Sequence, residues 1–338
     1  MSRNFSARRL LYPLVPFYGS ALAFREFRLL FGMEQVRRLR WPVVSVGNLS
    51  TGGSGKTPLT IALAKLLTGR GFSVDVLSRG YGREVQLTAK VNPDGAAEEF
   101  GDEPLLIARE TGCPVYVAPK RYEAGLLAEA RVQQESHRPV VHLLDDGFQH
   151  RQLARDVDIL ILDRRDWKDG LLPAGNLREP LRAARRASVI AIPANESSLE
   201  GELRRWGWRG PVWRLCRKME VLSVNGPVVA FCGIARTEQF FDGLAAAGLN
   251  LVGRSAFHDH HRYTARDLDR LVASARAFGA TALVTTEKDS VRLEKLAFAL
   301  PESLPVRTAH LRIEIQDQAG AIDWLLGRLG SPPAHSPV

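Results

Sequence analysis

The stretch from residue 42 to residue 58, PVVSVGNLSTGGSGKTP, constrains the fold more than any other part of the chain. It contains an apolar run over 42–46, a glycine-rich turn over 50–55, and then Lys56, Thr57 and Pro58. Because proline is tolerated in a first helical turn, we expect a helix from about residue 56. In such a strand, turn and helix, the loop amides and the positive helix N-terminus point at one place, which favours a bound phosphate group.

Ser50 departs from the general phosphate-loop pattern G-x-x-x-x-G-K-T, which has glycine at that position. The remaining glycines still allow close backbone approach to a phosphate. The stretch therefore predicts a nucleotide site, in which Lys56 neutralises the β- and γ-phosphates and the Thr57 hydroxyl ligates Mg²⁺. An ordinary glycine-rich turn is the alternative. The predicted nucleotide-binding residues are Ser50, Thr51, Gly52, Gly53, Ser54, Gly55, Lys56 and Thr57.

Short runs rich in valine and isoleucine alternate with helix-like segments through the first 200 residues. The runs are PVVSV, FSVDVLS, CPVYVA, PVVHLL, VDILIL and ASVIAI. Nearly every position in each run is apolar, which fits a strand that is covered on both faces. The pattern predicts an α/β fold with a doubly wound, mostly parallel sheet of the P-loop NTPase type.

A second, smaller α/β domain is predicted after about residue 216. PVVAFCGIA and ALVTTEKDS read as strands, and between them lies a helix-like stretch in which Thr264 and Asp267 form a capping box. Residues 194–219 are the expected connection. The predicted organisation is an N-terminal segment (1–30), a phosphate-loop domain (31–215), the smaller domain (216–330) and a disordered tail (331–338).

Two aspartates follow the apolar run VVHLL directly. Asp145 and Asp146 stand where a Walker B segment carries its carboxylate, so the pair is expected to hold Mg²⁺ near Thr57. Solvated turn aspartates before a glycine are the alternative. The sequence leaves open which of the two would ligate the metal directly.

The N-terminal segment carries the apolar and aromatic run LLYPLVPFYGSALAF over residues 10–24, with arginines on both sides. The run is shorter than the roughly 20 residues that span a bilayer, and Pro13 and Pro16 interrupt it. It predicts an interfacial segment in the headgroup layer, and the alternative is a plain helix packed on the domain. The formal charge of +9 favours anionic partners without choosing among phosphates, nucleic acid and lipid headgroups.

Further strings occur in order around the phosphate loop. They are SRGYG (78–82), GDEPLLIA (101–108), DDGFQHRQLARD (145–156), PAGNLREP (173–180), DHH (259–261) and TTEKDSVRL (285–293). Together with the N-terminal segment, this set resembles the tetraacyldisaccharide 4′-kinase family, from about residue 10 to residue 325. The family's own loop reads G-N-L-x-x-G-G-x-G-K-T-P, so Ser50 does not depart from it.

The resemblance implies a kinase of lipid A biosynthesis that uses ATP and Mg²⁺. Its substrate would be a tetraacyl glucosamine disaccharide 1-phosphate, which is phosphorylated on the 4′-hydroxyl. It also implies two α/β domains with the active site in the cleft between them, and a peripheral enzyme at the cytoplasmic face of the bacterial inner membrane. No obligate protein partner and no nucleic acid are expected.

The resemblance also implies roles for individual residues. Asp102 matches the family's proposed base, although an aspartate followed by Pro104 would also suit a helix N-cap. His260 matches a histidine thought to act with that aspartate, and Lys56 completes the catalytic set. A metal cluster that includes Asp259 and His261, or plain exposure in a loop, is the alternative for His260.

Other assignments follow from position along these strings. Glu179 is expected in the magnesium shell and Arg178 near phosphate charge, with an exposed salt-bridging pair as the alternative. His261 is the alternative to His260. The predicted substrate contacts are Arg79, Tyr81, Gln149, His150, Arg178 and His261.

Two other function classes remain as competitors. A P-loop GTPase of the switch or metallochaperone type would need a guanine-reading [NT]-K-x-D pattern, but Lys288 is followed directly by Asp289. A nucleic-acid-binding ATPase would need a recognised module, and the arginines are scattered along the chain.

Overall fold

The predicted strand runs all become strands of one sheet in the computed structural model, which describes residues 10–135, 138–222, 224–294, 296 and 300–329. Every residue of the strands that precede the phosphate loop and the Asp145–Asp146 pair is buried. The strands are β1 (Val43–Asn48), β2 (Ser73–Ser78), β3 (Ala89–Lys90), β4 (Val115–Val117), β5 (Val140–Asp145), β6 (Val157–Ile161), β7 (Val189–Pro193), β8 (Val212–Val221), β9 (Pro227–Cys232), β10 (Asn250–Ala256), β11 (Ala282–Thr286) and β12 (Val306–Ile315).

The helix after the phosphate loop begins at Lys56, as predicted, and the capping box of Thr264 and Asp267 is present. Short 3₁₀ turns cover Tyr12–Leu14, Leu181–Arg186 and Ala194–Glu196. The α-helices are α1 (Val15–Leu30), α2 (Lys56–Gly69), α3 (Ala97–Phe100), α4 (Asp102–Thr111), α5 (Arg121–Glu135), α6 (Arg164–Lys168), α7 (Ser197–Arg205), α8 (Thr237–Ala246), α9 (Ala265–Ala277), α10 (Glu287–Leu293) and α11 (Gln318–Leu329).

The sheet has the strand order β10-β9-β11-β12-β8-β7-β6-β1-β5-β2-β4-β3. In the part of the chain that the structure describes, only β12 with β8 and β3 with β4 pair antiparallel. Helices cover both faces, since α2, α4 and α11 pack on one face of the larger part of the sheet and α5 and α7 on the other. The predicted α/β class with a mostly parallel, doubly wound sheet is confirmed.

The two parts of the sheet meet where β8 runs antiparallel to β12, from Leu215 opposite Ile315 to Val221 opposite Ala309. The connection expected over 194–219 contains a 3₁₀ turn, α7 and most of β8. Residue 216, the expected domain boundary, therefore lies inside a strand, and the sheet continues across it. The tail predicted over 331–338 lies outside the described residues.

The carboxyl ends of several parallel strands meet at one edge of the sheet. Val46 of β1 lies in register with Asp145 of β5, so the loops that follow these two strands are neighbours. From the other half of the sheet, β9 and β11 end in the segments that begin at Gly233 and Glu287. Ligands bind at this edge in open α/β sheets, so a binding site is expected here.

Helix α1 has no buried residue. None of the helices among the described residues is long and apolar enough to cross a membrane.

Candidate active site

A cavity of about 1140 Å³ opens at the carboxyl edge of the sheet. Residues of the phosphate loop, of the end of β5, of the loops after β9 and β10 and of the start of α10 line it, so both halves of the chain contribute. The predicted site residues that line the cavity are Thr51, Gly52, Gly53, Ser54, Gly55, Lys56, Thr57, Arg79, Tyr81, Asp145, Asp146, Gln149, His150, Arg178 and His260. Ser50, Asp102, Glu179 and His261 do not line it.

Two glycines give the phosphate loop its shape. Gly55 caps α2 with φ +95°, and a Cβ there would lie 2.8 Å from Cδ1 of Ile313. Gly52 has φ +99°, and a Cβ there would lie 2.9 Å from Cβ of Ala235. Both positions therefore need glycine for their backbone conformation and for the close approach of the C-terminal half.

Lys56 is held on the inside of the loop. Its Nζ donates a hydrogen bond to Asn48 Oδ1 at 3.1 Å and lies 3.7 Å from Asp146 Oδ1. Asn48 in turn donates from Nδ2 to Ser50 Oγ at 3.2 Å. Ser50 therefore supports the loop from behind, although the sequence predicted that it contacts the nucleotide.

The aspartate pair after β5 consists of two unlike carboxylates. Asp145 accepts a hydrogen bond from Thr60 Oγ1 at 2.9 Å, and none of the described residues donates to its second oxygen. Burial, together with the charges of Glu103 and Asp146, raises the pKa of Asp145 to about 7. Such a carboxylate is poorly compensated by protein groups and suits a cation ligand.

Asp146 is already paired. Its two oxygens accept hydrogen bonds from Nη1 and Nη2 of Arg178 at 3.0 and 2.9 Å. Burial opposes its ionisation, but Lys56 and Arg178 hold the pKa of Asp146 well below the usual range. The difference between the two aspartates favours Asp145 as the direct cation ligand.

Oxygen atoms near the phosphate loop that lack hydrogen-bond partners also favour a bound ligand. Ser54 Oγ and Gln149 Oε1 are buried and have no hydrogen-bond partner within the described ranges. Thr57 is also buried at the start of α2. Because buried polar atoms are normally paired, these groups fit a site that is completed by a bound phosphate or its cation.

Asp102 begins α4 and lies behind the cavity. Its Oδ1 accepts a hydrogen bond from the Glu103 amide at 2.9 Å, whereas the N-cap of the helix is Gly101. Oδ2 lies 3.2 Å from His260 Nδ1. The alternative role of Asp102 as a helix N-cap is therefore not what the structure shows.

His260 faces the cavity with φ +56° and lies 5.0 Å from the Tyr81 ring, between centroids. Its hydrogen bond with Asp102 raises the pKa of the imidazole. Burial opposes ionisation of Asp102, but His260, Arg292 and Lys288 hold its pKa below the ordinary range. The pair joins the two halves of the chain at the site.

Two cationic residues of the TTEKDSVRL string contact this region, although no role was predicted for them from the sequence. Arg292 donates to Asp102 Oδ2 from Nε at 2.9 Å and also from Nη2. Lys288 forms an ion pair with Glu103 and lines the cavity. The string itself was the available signal, because it follows the predicted strand β11.

Arg121, also absent from the predicted set, places a buried guanidinium at the start of α5. It is 7% exposed and lines the cavity, and its Nε has no partner among the described residues. Burial lowers the pKa of Arg121 to about 10. Burial and the charges of Arg121, Arg155 and Arg79 lower the pKa of His150 to about 4. The positive charges in this part of the cavity wall favour the binding of an anion.

Glu179 and His261 have other partners. Glu179 is buried, and its two oxygens form ion pairs with Arg25 and Arg186, so the expected magnesium ligand is already neutralised by guanidinium groups. His261 lies 3.1 Å from Asp267 Oδ2 and stacks on Phe257, away from the cavity. Its expected role as a substrate contact is not supported by this placement.

The alternative metal cluster at 258–261 is also not supported. Within the described part of the chain, the one group with metal-ligand spacing is that of Glu110, Glu287 and His310.

Comparisons with known proteins cover nearly the whole chain. The family model described as tetraacyldisaccharide-1-P 4′-kinase matches residues 7–330. The tetraacyldisaccharide 4′-kinase of Koribacter versatilis (strain Ellin345) is 42% identical over 325 residues, which are 93% of this chain and 97% of the relative. That of Polaromonas naphthalenivorans (strain CJ2) is 37% identical over 337 residues, which are 97% of this chain and 94% of the relative.

A solved structure agrees with these matches. The crystal structure of the "apo" form of LpxK from Aquifex aeolicus in complex with ATP has a TM-score of 0.75 and 31% sequence identity to this chain. The similarity covers 96% of this chain and 100% of the other.

Proposed function

The chain belongs to the tetraacyldisaccharide-1-P 4′-kinase family, and from this premise we propose how its cavity transfers the γ-phosphate of ATP to the 4′-hydroxyl of a tetraacyl disaccharide 1-phosphate. One observation carries the assignment of the site. The phosphate loop and His260, which come from distant parts of the sequence, line a single cavity, and Asp102 lies directly behind His260.

The phosphate loop would hold the triphosphate of ATP. The amides at the start of α2 and the Lys56 ammonium meet the phosphate oxygens, and Ser54 Oγ gains the partner that it lacks. Lys56 would exchange its contact with Asn48 for the β- and γ-phosphates. The similarity to an ATP-bound structure supports this arrangement.

Mg²⁺ would be held by Thr57 and Asp145, with Asp146 kept nearby through its pairing with Arg178. When bound, Mg²⁺ neutralises charge on the β- and γ-phosphate oxygens. The buried Asp145 carboxylate fits a cation, because protein groups leave one of its oxygens unpaired in the described structure. We leave Glu179 out of the metal shell, since arginines occupy it.

Transfer of the phosphoryl group requires the 4′-hydroxyl to lose its proton. The 4′-oxygen bonds to the γ-phosphorus, the bond from that phosphorus to the β,γ-bridging oxygen breaks, and ADP leaves. The proton passes to the Asp102–His260 pair, in which His260 lines the cavity and Asp102 lies directly behind it. Positioning and cation placement provide the rest of the catalysis.

The acceptor would bind on the cationic side of the cavity. Arg79, Arg121 and Arg25 line it there. Nε of Arg121 has no hydrogen-bond acceptor among the described residues and can donate to an anion. The phosphate of the disaccharide 1-phosphate supplies such an anion. Tyr81, Gln149 and His150 line the same cavity and would contact the sugar.

Helix α1 would place the enzyme at the cytoplasmic face of the inner membrane as a peripheral protein. It exposes large apolar side chains, including Phe17 and Phe24, and it carries Arg25 and Arg28. The helix is also tied to the site, because Tyr18 donates a hydrogen bond to the Arg178 carbonyl at 2.9 Å. A membrane-bound acyl chain could therefore lie beside α1 while its sugar reaches the cavity.

The function is tested by incubating the purified protein with γ-labelled ATP, MgCl₂ and tetraacyl disaccharide 1-phosphate in mixed micelles. We expect label in the lipid, and its loss when EDTA replaces MgCl₂. Folded protein that binds ATP and leaves the lipid unlabelled would contradict the proposal.

The same assay with γ-labelled GTP addresses the GTPase alternative. Asp289 accepts hydrogen bonds from Gly233 N and Thr286 Oγ1 and is fully buried, so it is not available to read guanine.

A further inference from the structure

Arg292 is bonded on every side of its guanidinium group. Nε and Nη2 donate to Asp102 Oδ2, the former at 2.9 Å. Nη1 donates to the Gly233 carbonyl at 2.9 Å and to Asp289 Oδ1 at 2.9 Å. The side chain is 8% exposed, so these contacts form away from most of the solvent.

The anchors of Arg292 belong to the C-terminal half of the chain. Gly233 follows β9, and Asp289 lies in the first turn of α10. Asp289 is itself fixed, because it accepts hydrogen bonds from Gly233 N at 3.1 Å and from Thr286 Oγ1 at 2.6 Å. A guanidinium group held in this way fixes the position of the carboxylate that it binds.

The carboxylate that Arg292 binds belongs to the N-terminal half of the chain. Asp102 is 5% exposed and begins α4, and its second oxygen is held by the Glu103 amide. Arg292 Nη2 also lies 3.2 Å from His260 Nδ1. The guanidinium group therefore lies against both members of the pair without lining the cavity itself.

We propose that Arg292 is a positioning residue for phosphoryl transfer, which fixes the Asp102 carboxylate against His260 and sets how readily that pair accepts the proton of the sugar hydroxyl. The inference rests on the proposed role of the Asp102–His260 pair. It adds a residue that acts through Asp102 and does not touch the substrate.

The charges around Asp102 support this role. Arg292 and Lys288 face it from α10, His260 faces it from the loop after β10, and Glu103 is its neighbour in α4. Burial opposes ionisation of Asp102, and the three cationic neighbours lower its pKa. Because Lys288 is paired with Glu103, it is not placed to replace the two N–H donors of Arg292.

The test compares Arg292→Gln with wild type in the lipid kinase assay, measured over about pH 5 to 9. Without the cation, we expect the acidic limb of the kcat/KM profile to move up by about 1 pH unit or more, because Arg292 lowers the pKa of the His260 imidazole as well as that of Asp102, and a neighbouring charge shifts a pKa by about that amount. We expect kcat to fall on the order of tenfold, since the carboxylate loses its fixed place, while KM for ATP stays within about twofold. A merely structural role would lower activity without moving the pH profile.

Arg292→Lys separates charge from geometry and provides a test if Arg292→Gln fails to fold. It keeps the positive charge but loses the planar guanidinium group with its two N–H donors to Asp102. We therefore expect the acidic limb to stay within about 0.3 pH units of wild type while kcat falls several-fold. Wild-type kcat in Arg292→Lys would overturn the positioning role. An unmoved acidic limb in folded Arg292→Gln would overturn the electrostatic role.

Arg70→Gln is the matched control, because Arg70 also pairs with an aspartate, Asp323, but at the surface, where the two side chains are 45% and 69% exposed. It should leave the pH profile and kcat unchanged. A wild-type enzyme that labels no lipid would contradict the proposed function. Lipid labelling by wild type with a normal profile in Arg292→Gln would contradict only the role of Arg292.

Discussion

His260 Nδ1 lies 3.2 Å from Oδ2 of Asp102, although the two residues come from opposite halves of the chain. Asp102 begins α4, and His260 lies in the loop between β10 and α9. The pair can therefore form only when the two halves are correctly packed. On the proposed mechanism, proton transfer would depend on the same packing that brings Ala235 and Ile313 close to the phosphate loop.

Replacement of Asp102 by Asn should lower kcat by roughly 10²- to 10⁴-fold, the usual range for losing a general base. The change is close to isosteric, so KM for ATP should move little. Steady-state kinetics with the lipid acceptor would measure both constants. Asp242→Asn, at an exposed position of α8, is the control and should behave as wild type. Equal losses of ATP binding and turnover in Asp102→Asn would show that the residue is needed for structure rather than for proton transfer.

Asp145 should make the metal-free protein sensitive to pH. Burial raises its pKa from 3.8 to about 7, so the free energy of unfolding falls as the pH rises from about 4 to about 7, where the unfolded state has lost this proton and the folded state still holds it. Asp145→Asn removes that cost and retains an acceptor for Thr60. In EDTA at about pH 8, we expect it to raise the free energy of unfolding by about 4 kcal/mol, with the gain vanishing near pH 4.

Urea unfolding at the two pH values would measure this difference. The same variant should lose magnesium-dependent lipid phosphorylation, so stability and activity should move in opposite directions. Lower stability than wild type at about pH 8 would contradict the buried, uncompensated state of Asp145.

The sequence predicted the local parts of the site because their geometry is local. A buried strand followed by Gly52, Gly55 and Lys56 specifies a phosphate loop without distant residues. Asp145 could be placed for a similar reason, since it ends a strand that is apolar throughout. By contrast, β8 and β12 mix buried and exposed positions, so neither shows the continuous apolar run that marked the other strands.

The partners that arrive from distant elements could not be predicted. The sequence around Glu179 does not indicate that its carboxylate forms ion pairs with both Arg25 and Arg186. The choice between His260 and His261 depends on the backbone, because φ of +56° at His260 directs one imidazole to Asp102 while the next turns to Asp267. The contact of Arg292 with Asp102 could not be predicted either, because it depends on the packing of α10 against α4.

Gly55→Ala should abolish ATP binding. The position has φ +95°, and the new Cβ would meet Ile313 Cδ1 at 2.8 Å, so the loop must distort. Gly69→Ala is the matched control, because a Cβ at the last residue of α2 meets no atom within 4 Å. It should bind ATP normally and gain roughly 0.5–1 kcal/mol in unfolding free energy. Calorimetric titration with ATP and urea unfolding test both variants, and normal ATP binding by Gly55→Ala would contradict the assigned loop geometry.

The combined change Phe17→Asp and Phe24→Asp should release the enzyme from membranes. The two rings are 74% and 61% exposed on α1, and burial of each in the acyl boundary is worth roughly 1.5–3 kcal/mol. We therefore expect binding to anionic phospholipid vesicles to weaken on the order of 10²-fold, while ATP binding is retained because α1 buries none of its residues. Co-sedimentation with vesicles measures the bound fraction. Phe278→Asp, at a ring that is 56% exposed after α9, is the control and should sediment as wild type. If the α1 variant sediments as wild type too, this helix does not hold the enzyme on the membrane.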